Sequence, residues 1–172
     1  MSELSPQGVR PYPDLPLAIQ GLGWLVGTWR GTGHGECPTI EPFRFEQEVQ
    51  FRNDGRTFLH YTSRSWLIGP GDIRIREAAT ESGYWRANVG DNAVELVLSH
   101  PTGITELWIG AVTGQSVELA TDAVTRSATA KAYTGGRRLY GRINGDNLGW
   151  VFEMAAMGQP LTPHLSAELV RI

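Results

Sequence analysis

The sequence predicts an all-β chain closed into an antiparallel up-and-down barrel of about ten strands, with a short helical segment at its N-terminal end. Three observations carry this expectation. The stretch Gly27-Thr28-Trp29-Arg30-Gly31-Thr32-Gly33 puts three glycines and one tryptophan on a single strand face, because residues two apart in a strand share a side. Glycine inside a strand marks a sharp bend or a close backbone approach, so this strand can curve while one large ring fills a barrel end. Next, Phe43 to Phe51 alternates apolar and polar residues, with Phe43, Phe45, Val49 and Phe51 on one face and Arg44, Glu46, Glu48 and Gln50 on the other; that is the period of a half-buried strand. Finally, turn signals recur at short spacing through the rest of the chain, and no helical period persists beyond the N-terminal segment. A meander this long has edges to hide, and closure removes them. A barrel of that strand number has room inside for a ligand.

The elements follow in order. Residues 1–13 are polar and proline-punctuated and read as a flexible arm, leaving 14–172 as a single barrel domain. Asp14 is a candidate N-cap for a short apolar segment whose Leu17, Leu22 and Trp24 would lid one end, while Gly21 and Gly23 keep it from extending into a long helix. After the opening strand, His34 to Ile40 enters a turn. Asn53-Asp54-Gly55 is a hairpin signal leading into Thr57–Trp66, and Gly69-Pro70-Gly71-Asp72 turns again before an extended run from Ile73 to Arg86. Ala93–Ser99, Ile104–Val112 and Ser116–Thr121 are three more strands. Thr129–Ile143, Leu148–Met157 and Leu165–Ile172 complete the set.

Composition narrows the function. At 172 residues the chain can bury a sizeable core as one domain. A net charge of −3 with no run of like charges argues against a nucleic-acid or membrane-surface protein, each of which needs a basic footprint. The apolar runs are too short for a membrane-spanning helix. The N-terminus lacks the charged, apolar and small-residue order of a signal peptide, and the one cysteine, Cys37, has no internal partner. A cytoplasmic protein is expected.

Four histidines, His34, His60, His100 and His164, compete for any metal-ligand role. Composition does not choose among them. Trp66, Tyr84, Trp85, Trp108 and Trp150 read as core, since aromatic bodies fill barrels well. Arg64, Arg137 and Arg138 are candidates to meet a ligand's carboxylates, the ordinary reading being strand-exterior residues that face water. Ser99-His100 lies close to Glu106 in the chain, but there is no GxSxG elbow, P-loop, CxxC pair or HExxH.

Three segments together resemble the nitrobindin family, haem-binding ten-stranded barrels of calycin-like shape related to fatty-acid-binding proteins. They are Gly27 to Gly33, matching the family's GxWxGxG signature; Pro38-Thr39-Ile40; and Gln159-Pro160-Leu161 through His164-Leu165, with Ala167 and Leu169 beyond. Gly83-Tyr84 and His100 to Glu106 add to the match, which covers roughly residues 14–172. The resemblance implies a ferric b-type haem (heme b) with His164 as its single axial ligand, and the isomerisation of peroxynitrite to nitrate with nitric oxide binding alongside. It implies further that Thr39 lies against the haem and that Lys131 reaches the porphyrin edge, where a propionate is a natural partner. Cys37 departs from the family, which commonly has a tyrosine there.

One geometric problem accompanies His164. Leu165, Ala167 and Leu169 share a strand face and His164 has the opposite parity, so the histidine is expected at the barrel rim, where a bulge or turn re-aims it. His34 is placed near the pocket mouth. The wall opposite the axial histidine is expected to be largely apolar, with His34 and His60 left open as polar groups there.

The alternative is a haem-free carrier of a small apolar ligand such as a fatty acid. Such a carrier would place an arginine inside to meet a carboxylate. Leu148–Met157 has none, and Arg142 just before it is the nearest candidate. Exposed strand or rim apolars could also support a homodimer.

Overall fold

The computed structural model describes residues 11–87 and 91–172. Ten strands are present: β1 (Gly27–Cys37), β2 (Ile40–Arg52), β3 (Phe58–Ile68), β4 (Arg74–Ala87), β5 (Ala93–His100), β6 (Ile104–Thr113), β7 (Ser116–Arg126), β8 (Tyr133–Ile143), β9 (Asn147–Ala156) and β10 (Thr162–Arg171). Each pairs antiparallel with the next, and β1 pairs with β10 to close the barrel. The expected architecture and strand number are both found.

The glycines of β1 make the closing seam. Gly31 stands opposite Leu169 and Gly33 opposite Ala167. A Cβ at Gly31 would lie 2.1 Å from the Glu168 carbonyl oxygen, and one at Gly33 would lie 2.3 Å from that of Ser166. Any larger residue would push β10 away, so the repeat read from the sequence is a closure device. Trp29, two residues before Gly31 on the same face, is fully buried, and its Nε1–H donates to the Leu25 carbonyl at 2.8 Å.

One end of the barrel is plugged by Leu17–Leu25, a run of 3-10 turns broken at Ile19. Ile19, Leu22, Trp24 and Leu25 are buried. Two details differ from expectation. The residue preceding the segment is Pro16 with no side-chain cap, so Asp14 does not serve, and Leu17 points to solvent. Of the arm read over residues 1–13, residues 1–10 lie outside the described region; Tyr12 is tied down by Gln20, whose Nε2 donates to its carbonyl at 2.6 Å.

Above this plug, aromatic rings fill the barrel. Phe51 packs on Tyr61 and Trp85, Trp85 meets Tyr140 at 5.0 Å between centroids, and Tyr140 stacks on Trp150. Trp85, Trp108 and Trp150 are core residues as read, whereas Trp66 and Tyr84 face outward. Trp66 lies under the Arg74 guanidinium at 3.7 Å, and Tyr84 joins Phe58 and His60 in an outer aromatic cluster. Strand parity explains this: each alternates with an inward neighbour, Leu67 or Trp85.

Because strands alternate in direction, the turns after β1, β3, β5, β7 and β9 gather at the other end. That rim is open.

Candidate functional site

Around the open rim the inward side chains are half-buried: Phe43, Ile104, Val124, Met154, Ala156 and Leu165 pack on the core while keeping a face free. They form an apolar cup above the aromatic floor. A concavity of about 990 Å³ opens at one edge of the rim, beside Phe43 and Leu165, and runs over onto the outer face. Phe43, Leu67, Phe152, His164 and Leu165 belong to its inner face, while His34, Arg44, Val151 and Ser166 belong to the outer face of the same strands.

His164 reaches the inner face through a bulge. In the β9–β10 ladder Pro163 pairs with Glu153 and Leu165 with Phe152, leaving His164 as the extra residue. A bulge of this kind re-aims one side chain without disturbing the strand beyond it. The imidazole meets the Phe152 ring edge-on at 5.9 Å. Its Nδ1 lies 2.8 Å from the backbone carbonyl of Glu36. A carbonyl can only accept, so Nδ1 carries the proton and Nε2 presents a lone pair. Among the described residues Nε2 has no hydrogen-bond partner. Apolar walls and a pinned imidazole with its other nitrogen free suit a flat apolar macrocycle whose iron takes one nitrogen ligand.

The β1–β2 turn brings Thr39 to the same corner of the rim. Thr39 is exposed, and its hydroxyl lies 3.4 Å from Cys37 Sγ. This hydrogen bond, joined by one from the Thr39 backbone, lowers the thiol pKa. Lys131 lies exposed on the β7–β8 connection, also at this rim. His34 sits on the outer face of β1, and His60 projects outward to Asp54 Oδ2 at 2.8 Å. Neither faces the cup.

Sequence reasoning missed a buried polar layer between cup and floor. Arg138, read as a surface residue, is 3% exposed and forms an ion pair with Glu81. Its Nη1 donates to Glu81 Oε1 and to the Tyr140 hydroxyl, both at 3.1 Å, and the Tyr61 hydroxyl donates to the same carboxylate. Burial alone would raise the Glu81 pKa; the guanidinium outweighs that and holds it low. Tyr61 and Tyr140 are pushed up, chiefly by burial. Beside this group Glu106 accepts from the Tyr133 hydroxyl at 2.5 Å and contacts His100 Nε2. A signal existed for each charge: Glu81 shares a strand face with Trp85, and Arg138 with Tyr140.

An arginine does stand inside the barrel, as a fatty-acid carrier would have it, but its carboxylate partner is Glu81. Arg142 pairs with Asp146 at 2.7 Å.

No helix among the described residues is long and apolar enough to cross a membrane. Residues 18–171 match the family model described as the THAP4-like, heme-binding beta-barrel domain. A peroxynitrite isomerase from Nocardioides sp. (strain JS614) is 51% identical over 150 residues, covering 87% of this chain and 90% of the relative. One from Salinispora tropica is 48% identical over 168 residues, covering 95% and 85% respectively. A ferric nitrobindin-like protein of Cutibacterium acnes is 38% identical, covering 92% of this chain and 95% of its own. The crystal structure of Rv2717c from M. tuberculosis superposes with a TM-score of 0.80 at 41% identity, covering 92% of this chain and 99% of that one. With a family model matched over residues 18–171 of a closed ten-stranded barrel, and relatives matched along nearly its whole length, this chain belongs to the nitrobindin family of haem-binding β-barrels.

Proposed function

We propose that this chain is a haem-dependent isomerase that converts peroxynitrite to nitrate at a ferric b-type haem and also binds nitric oxide. The observation that carries the reading is His164, turned into an apolar cup by a bulge, with Nδ1–H held by a backbone carbonyl and Nε2 free. The relatives named peroxynitrite isomerase support the choice of substrate.

The bound haem supplies the Lewis-acid and redox chemistry of the rearrangement. The protein supplies the rest. His164 offers Nε2 to the iron, and the Glu36 carbonyl fixes its tautomer and ring direction and strengthens it as a donor. Thr39 would lie against the haem at the rim, and the Lys131 ammonium would pair with a propionate. Phe43, Met154 and Leu165 keep water from the macrocycle. The aromatic floor would keep the group from sinking deeper into the barrel. Residues 14–172 act as one haem-binding domain in the cytoplasm. Exposed Leu139, Val151 and Val170 on the outer sheet face give a homodimer apolar surface to use.

The test is an absorbance titration with hemin beside a His164→Ala variant, followed by stopped-flow peroxynitrite decay with nitrate and nitrite quantified. Stoichiometric binding with a Soret shift, altered in the variant, and catalysed decay mainly to nitrate are expected. No saturable shift in the wild-type protein sinks the proposal.

A further inference from the structure

The glycine repeat of β1 runs one step beyond the closing seam. Gly31, Gly33 and Gly35 share the inward face, but the third meets something different. A Cβ on Gly31 or Gly33 would first strike a backbone carbonyl of β10, whereas one on Gly35 would lie 2.1, 2.4 and 2.6 Å from Cζ, Cε2 and Cε1 of Phe43. Those three atoms are the far edge of the ring. Gly35 pairs with Phe43 on β2 and with Leu165 on β10. The ring therefore reaches from β2 across the inner side of β1, toward the strand that carries His164.

The backbone does not call for a glycine here. Gly35 has no positive φ, so other residues could adopt its conformation. The three atoms nearest to its missing Cβ all belong to the ring, and the ring is what excludes a side chain. Phe45 backs the ring at 6.3 Å between centroids, and Phe43 is only half-buried. Gly35, Phe43, Phe152, His164 and Leu165 line the same cavity. A methyl group at position 35 would lift the ring off β1 and into that cavity. The glycine thus keeps a rigid flat surface low beside the imidazole.

We propose that Phe43 forms the shelf on which a flat macrocycle ligated by His164 would rest, and that Gly35 is the positioning residue that sets the height of this shelf. The inference rests on the haem reading above and names what fixes the fit on the β1 side. An aromatic ring packs well against another π-system, and a ring already seated loses little freedom when the ligand arrives.

The experiment titrates the full chain with hemin in wild type, Gly35→Ala, Phe43→Leu and the double variant Gly35→Ala/Phe43→Leu. Wild type that takes up no hemin defeats the haem reading, and this inference with it. Once wild type binds, the variants judge the shelf alone. Gly35→Ala is expected to keep the wild-type thermal transition, because the atoms it displaces are the far end of a side chain rather than backbone. Its hemin affinity is expected to fall roughly 10- to 100-fold, the range that overpacking a filled site produces. Leucine is shorter than the ring and clears the added methyl group, so the double variant should bind hemin more tightly than Gly35→Ala. A general loss of structure gives no such suppression. A folded Gly35→Ala with wild-type affinity overturns the inference, and so does a double variant no better than Gly35→Ala. Should Gly35→Ala fail to fold, Phe43→Leu decides: faster hemin dissociation supports the shelf, and an unchanged rate overturns it.

Discussion

The two ends of this barrel are built differently. At the plugged end Ile19, Leu22, Leu25 and Trp29 are wholly buried, and each ring or branch meets another. At the open rim Met154, Ala156, His164 and Leu165 keep free surface, and the His164 imidazole, pinned through Nδ1, has a nitrogen to spare. Between them lies a layer of paired charges and hydroxyls. The plugged end carries stability that lets the rim leave apolar surface and a ligand atom uncommitted. Stability and ligation should therefore respond to different substitutions.

The largest effect expected is at the seam that both ends share. Gly33→Val places a side chain where even a Cβ meets the Ser166 carbonyl at 2.3 Å, so β10 cannot close on β1. Loss of the cooperative thermal transition in circular dichroism is expected, together with loss of hemin binding. Retention of a sharp transition would show that the seam tolerates bulk.

Trp29→Ala should divide the two ends cleanly. Removing a fully buried tryptophan costs about 3–5 kcal/mol, read from urea unfolding, while the folded fraction still binds one hemin. A change in stoichiometry would mean the ends are not independent.

Glu81→Gln probes the layer between them. Breaking a buried ion pair costs about 3–5 kcal/mol because the Arg138 charge is left uncompensated. The Glu81 carboxyl is held low in the folded protein, so its stabilisation is complete above the unfolded value of about 4.3 and is lost as pH falls through the folded value. Wild type should therefore lose stability as pH drops below about 4.3, and Glu81→Gln should flatten that limb. An unchanged acid limb would place the acid sensitivity elsewhere.

The smallest effect belongs to Thr39→Ala. The residue is exposed and its hydroxyl is shared with Cys37, so stability should change by less than ~0.5 kcal/mol. Hemin should dissociate a few-fold faster, in keeping with one weak contact to the ligand. A large loss of stability would recast Thr39 as a structural turn residue.

Much of this comparison is legible in the sequence because strand periodicity reports which face is buried. The alternation from Phe43 to Phe51 and the glycine repeat around Trp29 lead directly to the barrel, and the wrong parity of His164 leads to a bulge that the β9–β10 ladder contains. The middle layer is harder. Glu81, Glu106 and Arg138 each stand on an inward face, but lie on β4, β6 and β8, and what neutralises each is decided by closure of the whole sheet. Local pattern carries no information about a partner 57 residues away. Arg138 reads as exposed because Arg137 beside it faces outward. Tyr84 and Trp66 show the converse error, since aromatic character alone does not say which side of a strand is wet.

The central claim is that His164 is the residue that binds iron. It is tested most directly by a His164→Gly variant titrated with hemin in the absence and presence of free imidazole. Wild type should show one saturable Soret shift, the variant a weakened and displaced one, and added imidazole should restore the wild-type spectrum by refilling the space beside Phe152 and the Glu36 carbonyl. A His164→Gly protein whose haem spectrum and affinity match wild type without imidazole would contradict the account and move the ligand elsewhere on the rim.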